Sequence, residues 1–531
     1  MHSLARVRFV WPTYADSNRG PSESESDALS SCAIGRCWIF SFFCPPDTTF
    51  YHFFNTLSIV LANLYYICYN TNVNYRRTRG SIMNILIING SPKGKYSITL
   101  QTTNYLERKY KEHSFSVLNA GQSIRSLEKD FAKAGDMLAS ADLIIFSYPV
   151  YTFVAPSQLH RFIELLKADG LDISGKYATQ ITTSKHFYDI TAHKYIEDNC
   201  RDLGLRYIKG LSADMDDLLT EEGRETAEKF FRHLIWSVEN GVHESYIHRP
   251  STYNQVKATP TAEVEKQGRD VVIITDCTDE NSNLSVMINR FRAKLPYSSR
   301  VVNIAEYPFQ GGCLGCFNCA VSAKCVYKDG FDEFLRGNIQ TADAIVYAFS
   351  VKDHSMGARF KMYDDRNFCN GHRTVTVGMP VGYLVSGELS AEENLRNIIE
   401  ARAEVGHNCL SGVATDERDP DGEIDKLVLE LDYALKNKYL LPQTFWGIGG
   451  MKIFRDLIYK MQGMMRADHK FYKKGGYYKD FPQRDKGTII KMYLVGALLA
   501  NDTIRKKMGN KMNEGMLMPY TKMFAEMDKN K

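Results

Sequence analysis

The sequence has almost no surplus charge. Its 66 Lys+Arg against 62 Asp+Glu leave +4 over 531 residues, which gives no whole-chain signal for nucleic acid. The imbalance that exists is local. Residues 451–531 carry 18 Lys+Arg and 8 Asp+Glu, a net of +10 that leaves the remainder near −6. A small-residue cleavage site after an apolar N-terminal stretch is also missing, which argues against a secretory signal peptide. A disulfide framework is missing too. Four of the 12 cysteines sit together, and Cys200, Cys277, Cys369 and Cys409 are scattered singly; that pattern suits a reducing cytosol. Long apolar runs are scarce, and the one of membrane length is residues 50–69. There Asn55, Asn63 and four tyrosines dilute the signal, although Arg76, Arg77 and Arg79 would keep its C-terminal side cytoplasmic. Residues 1–82 are therefore expected to be a spurious or disordered extension, or else a membrane anchor, and the rest of the chain is expected to be cytoplasmic.

What is present, in a chain long enough for three or four domains, is one unit written twice. Residues 84–88 are an apolar run that fits a buried parallel strand, and Asn-Gly-Ser-Pro over 89–92 is a turn into a helix. A strand over 115–118 precedes a helix near 126–140. A third strand, DLIIFS over 142–147, leads into the loop YPVYTFVAPSQ and the helix HRFIELLK, and 177–183 supplies a fourth. Strands alternating with helices in this way predict a doubly wound parallel sheet. After a polar linker over 251–268 the pattern restarts with DVVIIT (270–275), and TADAIVYAFSVKDHSMGARF then echoes SADLIIFSYPVYTFVAPSQL. The offset between copies is 186 residues at the first strand and 201 at the third. The second copy therefore carries about fifteen extra residues after its second strand.

Those extra residues hold GGCLGCFNCAVSAKC, in which Cys313, Cys316, Cys319 and Cys325 form C-x2-C-x2-C-x5-C within thirteen residues. Soft thiolates so closely spaced select iron–sulfur clusters or zinc, and three cysteines at C-x2-C-x2-C resemble ferredoxin ligation more than a split zinc ribbon. Four free thiols in a Gly-rich loop, or a zinc staple, are the alternatives. In a parallel sheet, ligands bind beyond the carboxyl ends of the strands. In the first copy that place is taken by GSPKGKYSIT, residues 90–99. Its amides, the hydroxyls of Ser91, Ser97 and Thr99, and Lys93 lie at a helix N-terminus that favours a phosphate. Pro149, Val150, Tyr151, Thr152 and Phe153 follow the third strand as an aromatic, proline-stiffened loop that suits a planar ring such as a flavin. The alternative is that Tyr151 and Phe153 only cap the sheet.

INGSPKGKYSIT with SYPVYTFVAPSQLHRFI resembles the NADPH-dependent FMN reductase and iron–sulfur flavoprotein branch of the flavodoxin-like superfamily. The resemblance covers about 83–250 and 268–410. It implies two tandem flavodoxin-like domains of the α/β class. It also implies FMN phosphate on Ser91, Lys93, Ser97 and Thr99, the flavin ring along Pro149 to Phe153, a weaker third loop at Thr182, Thr183 and Ser184, and a [4Fe–4S] cluster on the four cysteines. The copies depart from the pattern in complementary ways. The first has no cysteines. In the second, Asp276, Asp279 and Glu280 face the would-be phosphate, and the aromatic loop has become Val351-Lys352-Asp353-His354, with His354 expected at the surface.

The expected organisation is an extension (1–82), an FMN-binding domain (83–250), a second domain with the cysteine insertion (268–440) and a basic, Met-rich helical tail (441–531). The tail is read as packing on the second domain, with a lid or an acidic-surface contact as the alternative. The expected function is an NAD(P)H-dependent flavin oxidoreductase, with electrons passing to the cluster, a small-molecule acceptor or a redox protein. A non-catalytic electron carrier and a thiolate-based metal or redox sensor are the rivals. No general acid or base is required, so no catalytic residue is named. Nucleic acid is not an expected partner, a membrane is one only through residues 50–69, and a homo-oligomer is compatible. Complementary losses are what a fused pseudo-dimer would show, so the cysteine loop is expected against the flavin edge near Tyr151.

Overall fold

The computed structural model describes residues 82–245, 251, 253–508 and 511–529. The anchor expectation for residues 50–69 lies outside them. Among the described residues no helix is long and apolar enough to cross a membrane.

Strand β1 (Asn84–Asn89) is NILIIN, buried from its second residue on. Its side chains alternate between two apolar clusters, Leu86 and Ile88 on one face of the sheet and Ile85 and Ile87 on the other, as a strand covered on both faces requires. Helix α1 (Ile98–Lys109), β2 (Ser114–Leu118), α2 (Ala120–Leu127), α3 (Ala132–Ser140), β3 (Leu143–Pro149), α4 (Ser157–Asp169), β4 (Tyr177–Ser184), α5 (Asp189–Asp202), β5 (Arg206–Tyr207), β6 (Leu211–Asp214) and α6 (Glu221–Asn240) follow. The helix expected near 126–140 is thus two helices. The second half runs β7 (Gln267–Thr275), α7 (Asn283–Lys294), β8 (Tyr297–Asn303), α8 (Asn318–Ser322), α9 (Phe331–Phe334), β9 (Ala344–Ser350), α10 (Gly357–Arg366), β10 (Pro380–Ser386), α11 (Glu393–Val405), β11 (Cys409–Thr415) and α12 (Pro420–Asn437). Both sheets are parallel. Their strand orders are β2-β1-β3-β4-β5, with β6 on β4, and β8-β7-β9-β10-β11. Each is the doubly wound order 2-1-3-4-5.

The two halves meet through the helices after their third and fourth strands, and one apolar cluster runs from Leu86 and Ile144 to Ile274 and Phe349. The contact is pseudo-symmetric. Ser157 N–H, at the start of α4, donates to Asp365 Oδ2 at 2.8 Å, and Ala358 N–H, at the start of α10, donates to Glu164 Oε1 at 2.8 Å. Ser157 and Ala358 are 201 residues apart, as are Glu164 and Asp365. Each helix therefore lends a carboxylate to the other's amino end, where the helix dipole favours it. The loops after β3 and β9 repeat the same tight turn, with left-handed φ at Thr152 (41°) and Phe153 (72°), then at Asp353 (50°) and His354 (62°). This is the isologous geometry of a two-fold dimer drawn within one chain.

The segment before β7 is docked on the second half: Val256 N–H donates to Asp416 O at 2.9 Å and Ala258 N–H to Asn283 Oδ1 at 2.9 Å. Beyond residue 440 the chain is helical, with α13 (Phe445–Lys460), α14 (Arg466–Lys474), α15 (Lys486–Leu499), α16 (Asp502–Met508) and α17 (Lys511–Lys529). Ile458, Met465, Tyr472 and Tyr478 form a small core with Ala320 of α8, and Trp446 stacks on Tyr188 of the first half at 4.9 Å.

Candidate active site

A cavity of about 420 Å³ opens where the halves meet. Ser91, Lys93, Ser97, Thr99, Pro149, Val150, Tyr151, Thr152 and Phe153 all line it, as do Cys313, Cys316, Cys319 and Cys325. Asp276 to Asn283, the degraded turn of the second copy, line no part of it.

On the first-half side, the turn after β1 is held from within. Asn89 Nδ2 donates to Gly94 O at 3.0 Å and to Asn119 Oδ1 at 2.9 Å, and Asn89 Oδ1 accepts from Ser91 N–H at 3.2 Å. Ser91 Oγ accepts from Lys93 N–H at 3.3 Å, Ser97 Oγ caps α1 by accepting from Leu100 N–H at 3.4 Å, and the Thr99 and Thr183 hydroxyls lie 2.6 Å apart. Three buried hydroxyls and a lysine at one helix start fit a phosphate. Thr183 and Ser184 of the third loop line the same cavity, whereas Thr182 is turned to His193 Nε2 at 2.8 Å.

The aromatic loop is held from the opposite half. Lys361 Nζ, fully buried, donates to Tyr151 O at 3.0 Å and to Thr152 Oγ1 at 2.6 Å, and pairs with Asp365. Thr152 Oγ1 in turn donates to Asp365 Oδ1 at 2.6 Å. Phe153 meets Tyr188 edge-on at 4.3 Å, and the Arg402 guanidinium lies 5.7 Å from its ring centre.

The cysteine loop closes over both. A β-carbon on Gly315, whose φ is +60°, would lie 1.9 Å from Tyr151 Oη, so only glycine fits there. Gln158 Nε2 donates to Cys313 O at 3.3 Å, and Lys93 Nζ is 5.9 Å from the Phe317 ring centre. The expected contact of this loop with Tyr151 is thus present. Burial pushes the Tyr151 hydroxyl well above its ordinary pKa, with Cys313 and Asp365 adding to the rise; burial lowers Lys93, against the opposing pull of Cys316 and Cys313. Burial also raises the Cys313 thiol and lifts Cys319 to about 11.

Among the described residues, no three Cys, His, Asp or Glu side chains are grouped as a metal ion needs. The four cysteines line the same cavity without being gathered, and one guanidinium approaches one of them. Buried Arg366 binds Asp329 through both Nη atoms at 2.8 Å, donates to Gly311 O at 2.9 Å, and places Nη2 3.8 Å from Cys325 Sγ. Thiolates are the donors an iron–sulfur cluster or zinc would take, but as placed the four are not gathered around one point.

Several participants were illegible in the sequence. Lys361 and Arg366 look like the polar face of a helix, yet both are buried. Cys369, read as a scattered cysteine, lines the cavity, as do Phe454 and Tyr472 of the tail. His354 is partly exposed, as expected of a surface residue, but its ring is engaged: it bridges Asp202 Oδ2 at 3.0 Å and Glu392 Oε1 at 2.9 Å, joining the halves. Burial opposes its protonation, but the two carboxylates prevail and raise its pKa to about 10. Asp276, in the degraded turn, is lifted to about 6 by burial.

Residues 83–195 match the family model of NADPH-dependent FMN reductases. No curated protein matches it. Solved structures similar to part of it include a putative quinone reductase from Klebsiella pneumoniae, 17% identical over 29% of this chain and 83% of that one, with a TM-score of 0.23. An FMN-dependent NADH-azoreductase from Bacillus anthracis, in complex with FMN, is 16% identical over 29% and 100%, TM-score 0.23. A flavoenzyme NAD(P)H:(acceptor) oxidoreductase from Paracoccus denitrificans is 17% identical over 30% and 96%, TM-score 0.25.

Proposed function

We propose that the chain is a fused pseudo-dimer in which the first half binds FMN and the second half supplies the thiol wall of the same site, so that electrons from NAD(P)H leave either through an iron–sulfur cluster or to a small acceptor. The observation that carries this reading is the shared cavity: the phosphate turn, the aromatic loop and the cysteine loop line it together. Ser91, Ser97 and Thr99 would hold the FMN phosphate with Lys93, and residues 149–153 would flank the ring. FMN when bound accepts a hydride and returns electrons in pairs or singly.

The chain's own part is placement and exclusion of water. Lys361 and Asp365 fix the backbone of the aromatic loop from across the halves. Gly315 lets the cysteine loop lie directly on Tyr151. In the second copy, Asp276, Asp279 and Glu280 disfavour a phosphate, which supports one flavin per chain rather than two. Cytoplasmic placement and a homo-oligomer belong to the same proposal.

Steady-state oxidation of NADPH with ferricyanide as acceptor, under anaerobic conditions, tests the enzymatic reading. Turnover that requires bound FMN is expected. Full FMN occupancy with no NADPH or NADH oxidation would leave only an electron carrier.

A further inference from the structure

The tail is built into the cavity that both halves share. Helix α13 is fixed at its amino end by Glu404 of α11, which accepts from Thr444 N–H at 2.8 Å and from Gly447 N–H at 2.9 Å. Helix α14 is fixed by Asp468, which has no solvent exposure and accepts from His372 N–H at 3.2 Å and Arg373 Nη1 at 2.8 Å. Both anchors belong to the second half, yet α13 also lies on the first. A β-carbon on Gly450 would be 2.3 Å from Phe187 Cε2, and Trp446 stacks on Tyr188.

Between these anchors α13 lines the cavity with Met451, Phe454 and Leu457. Steps of three residues put them on one face of the helix, and all three are apolar. Phe454 is the middle one. Its ring centre lies 4.6 Å from that of Phe187 and 4.6 Å from that of His372, and Phe187 lies 5.5 Å from Phe153 of the aromatic loop. A row of rings therefore runs from the loop that would flank the flavin to the tail. Side chains without hydrogen-bonding groups select a neighbour by shape, and in such a wall a change of one methylene is worth about ten- to two-hundredfold.

Resting on the flavin reading above, we propose that α13 roofs the acceptor side of the site and that Phe454 sets how large an acceptor can approach the flavin. Transfer requires the reacting atoms in contact, so a wall two ring contacts from Phe153 bounds the space left for the acceptor.

FMN-loaded wild type, Phe454→Ala and Phe454→Trp are compared anaerobically with NADPH and two uncharged acceptors, tetramethyl-1,4-benzoquinone with one ring and 9,10-phenanthrenequinone with three. Each turnover moves a hydride from NADPH and a proton from solvent to the quinone, giving NADP+ and the hydroquinone. The ratio of kcat/KM for the larger acceptor to that for the smaller, normalised to bound FMN, should rise about tenfold or more in the Ala variant and fall in the Trp variant. In wild type, phenanthrenequinone added without NADPH should slow amide hydrogen exchange over residues 448–458 at least about twofold; this covers variants that do not fold. A ratio that stays put or moves the same way in both variants, or exchange over 448–458 that the quinone leaves unchanged, overturns the role of α13 and Phe454 alone. An FMN-loaded wild type that oxidises neither NADPH nor NADH with either acceptor overturns the enzymatic reading itself, and this inference with it.

Discussion

Replacing Lys361 by Met keeps the side chain's length and removes its charge at a position with no solvent access. Four interactions go with it, to Tyr151 O, Thr152 Oγ1, Asp365 and, at 3.7 Å, Asp364. Asp365 is then left fully buried with only neutral donors, Ser157 N–H at 2.8 Å and the Thr152 hydroxyl at 2.6 Å. Breaking one side of a buried ion pair costs ~3–5 kcal/mol. At a urea slope of ~3 kcal/mol/M that is a fall in midpoint on the order of 1 M. The cost should depend on pH with a definite sign. Burial already raises the Asp365 pKa and Lys361 opposes the rise, so without Lys361 the rise is unopposed. In acid the carboxyl is protonated in the folded state and the loss is smallest; as pH rises through the raised pKa, the buried charge must form and the loss grows. Urea unfolding at pH 5 and pH 8, with FMN content measured in parallel, reads both effects. The double variant Lys361→Met/Asp365→Asn should recover at least half the loss at pH 8, because the buried charge is gone. A loss under ~1 kcal/mol at pH 8, or a double variant no better than the single, would refute the reasoning.

Gly315→Ala should weaken FMN binding at least tenfold, because its β-carbon would lie 1.9 Å from Tyr151 Oη and Lys361 keeps the Tyr151 backbone from yielding; a fluorescence titration with FMN checks this, and unchanged affinity would mean that the two loops do not need to touch. His354→Ala should destabilise the junction between the halves at pH 7. With a folded pKa of about 10 against an ordinary 6.5, the stability this residue contributes is complete below pH 6.5 and lost as pH rises through about 10. The effect should be on the order of 2 kcal/mol once solvent screening is allowed for, and urea midpoints from pH 7 to 10 should fall in wild type and stay flatter in the variant.

The fold was legible because it is written as local pattern. Apolar runs such as 84–88 and 142–147 mark strands buried on both faces, and their repetition at a fixed offset marks two copies of one sheet. The 201-residue offset read from strand three is the same offset that pairs Ser157 with Ala358 and Glu164 with Asp365 across the junction, so the sequence repeat carries the pseudo-symmetry in three dimensions. What it does not carry is which charged residues are interior. Lys361, Asp365 and Arg366 follow one another on a helix as ordinary polar positions, and only the second sheet's approach to the first buries them. Cys369 was invisible for a related reason: its neighbours in the cavity lie far away in sequence, and a single cysteine has no spacing to read. The pairing of His354 was not legible because a loop side chain read alone gives no hint of the helix α5 that brings Asp202 to it.

The shared-site account rests on a single flavin site formed by both halves. Flavin released from the acid-precipitated, FMN-reconstituted chain and counted against protein tests it most directly. One FMN per chain is predicted, lost when the Ser91 turn is disabled by Ser91→Asp and kept when Asp276 is replaced by Asn. Two FMN per chain, or one that survives Ser91→Asp, would contradict it.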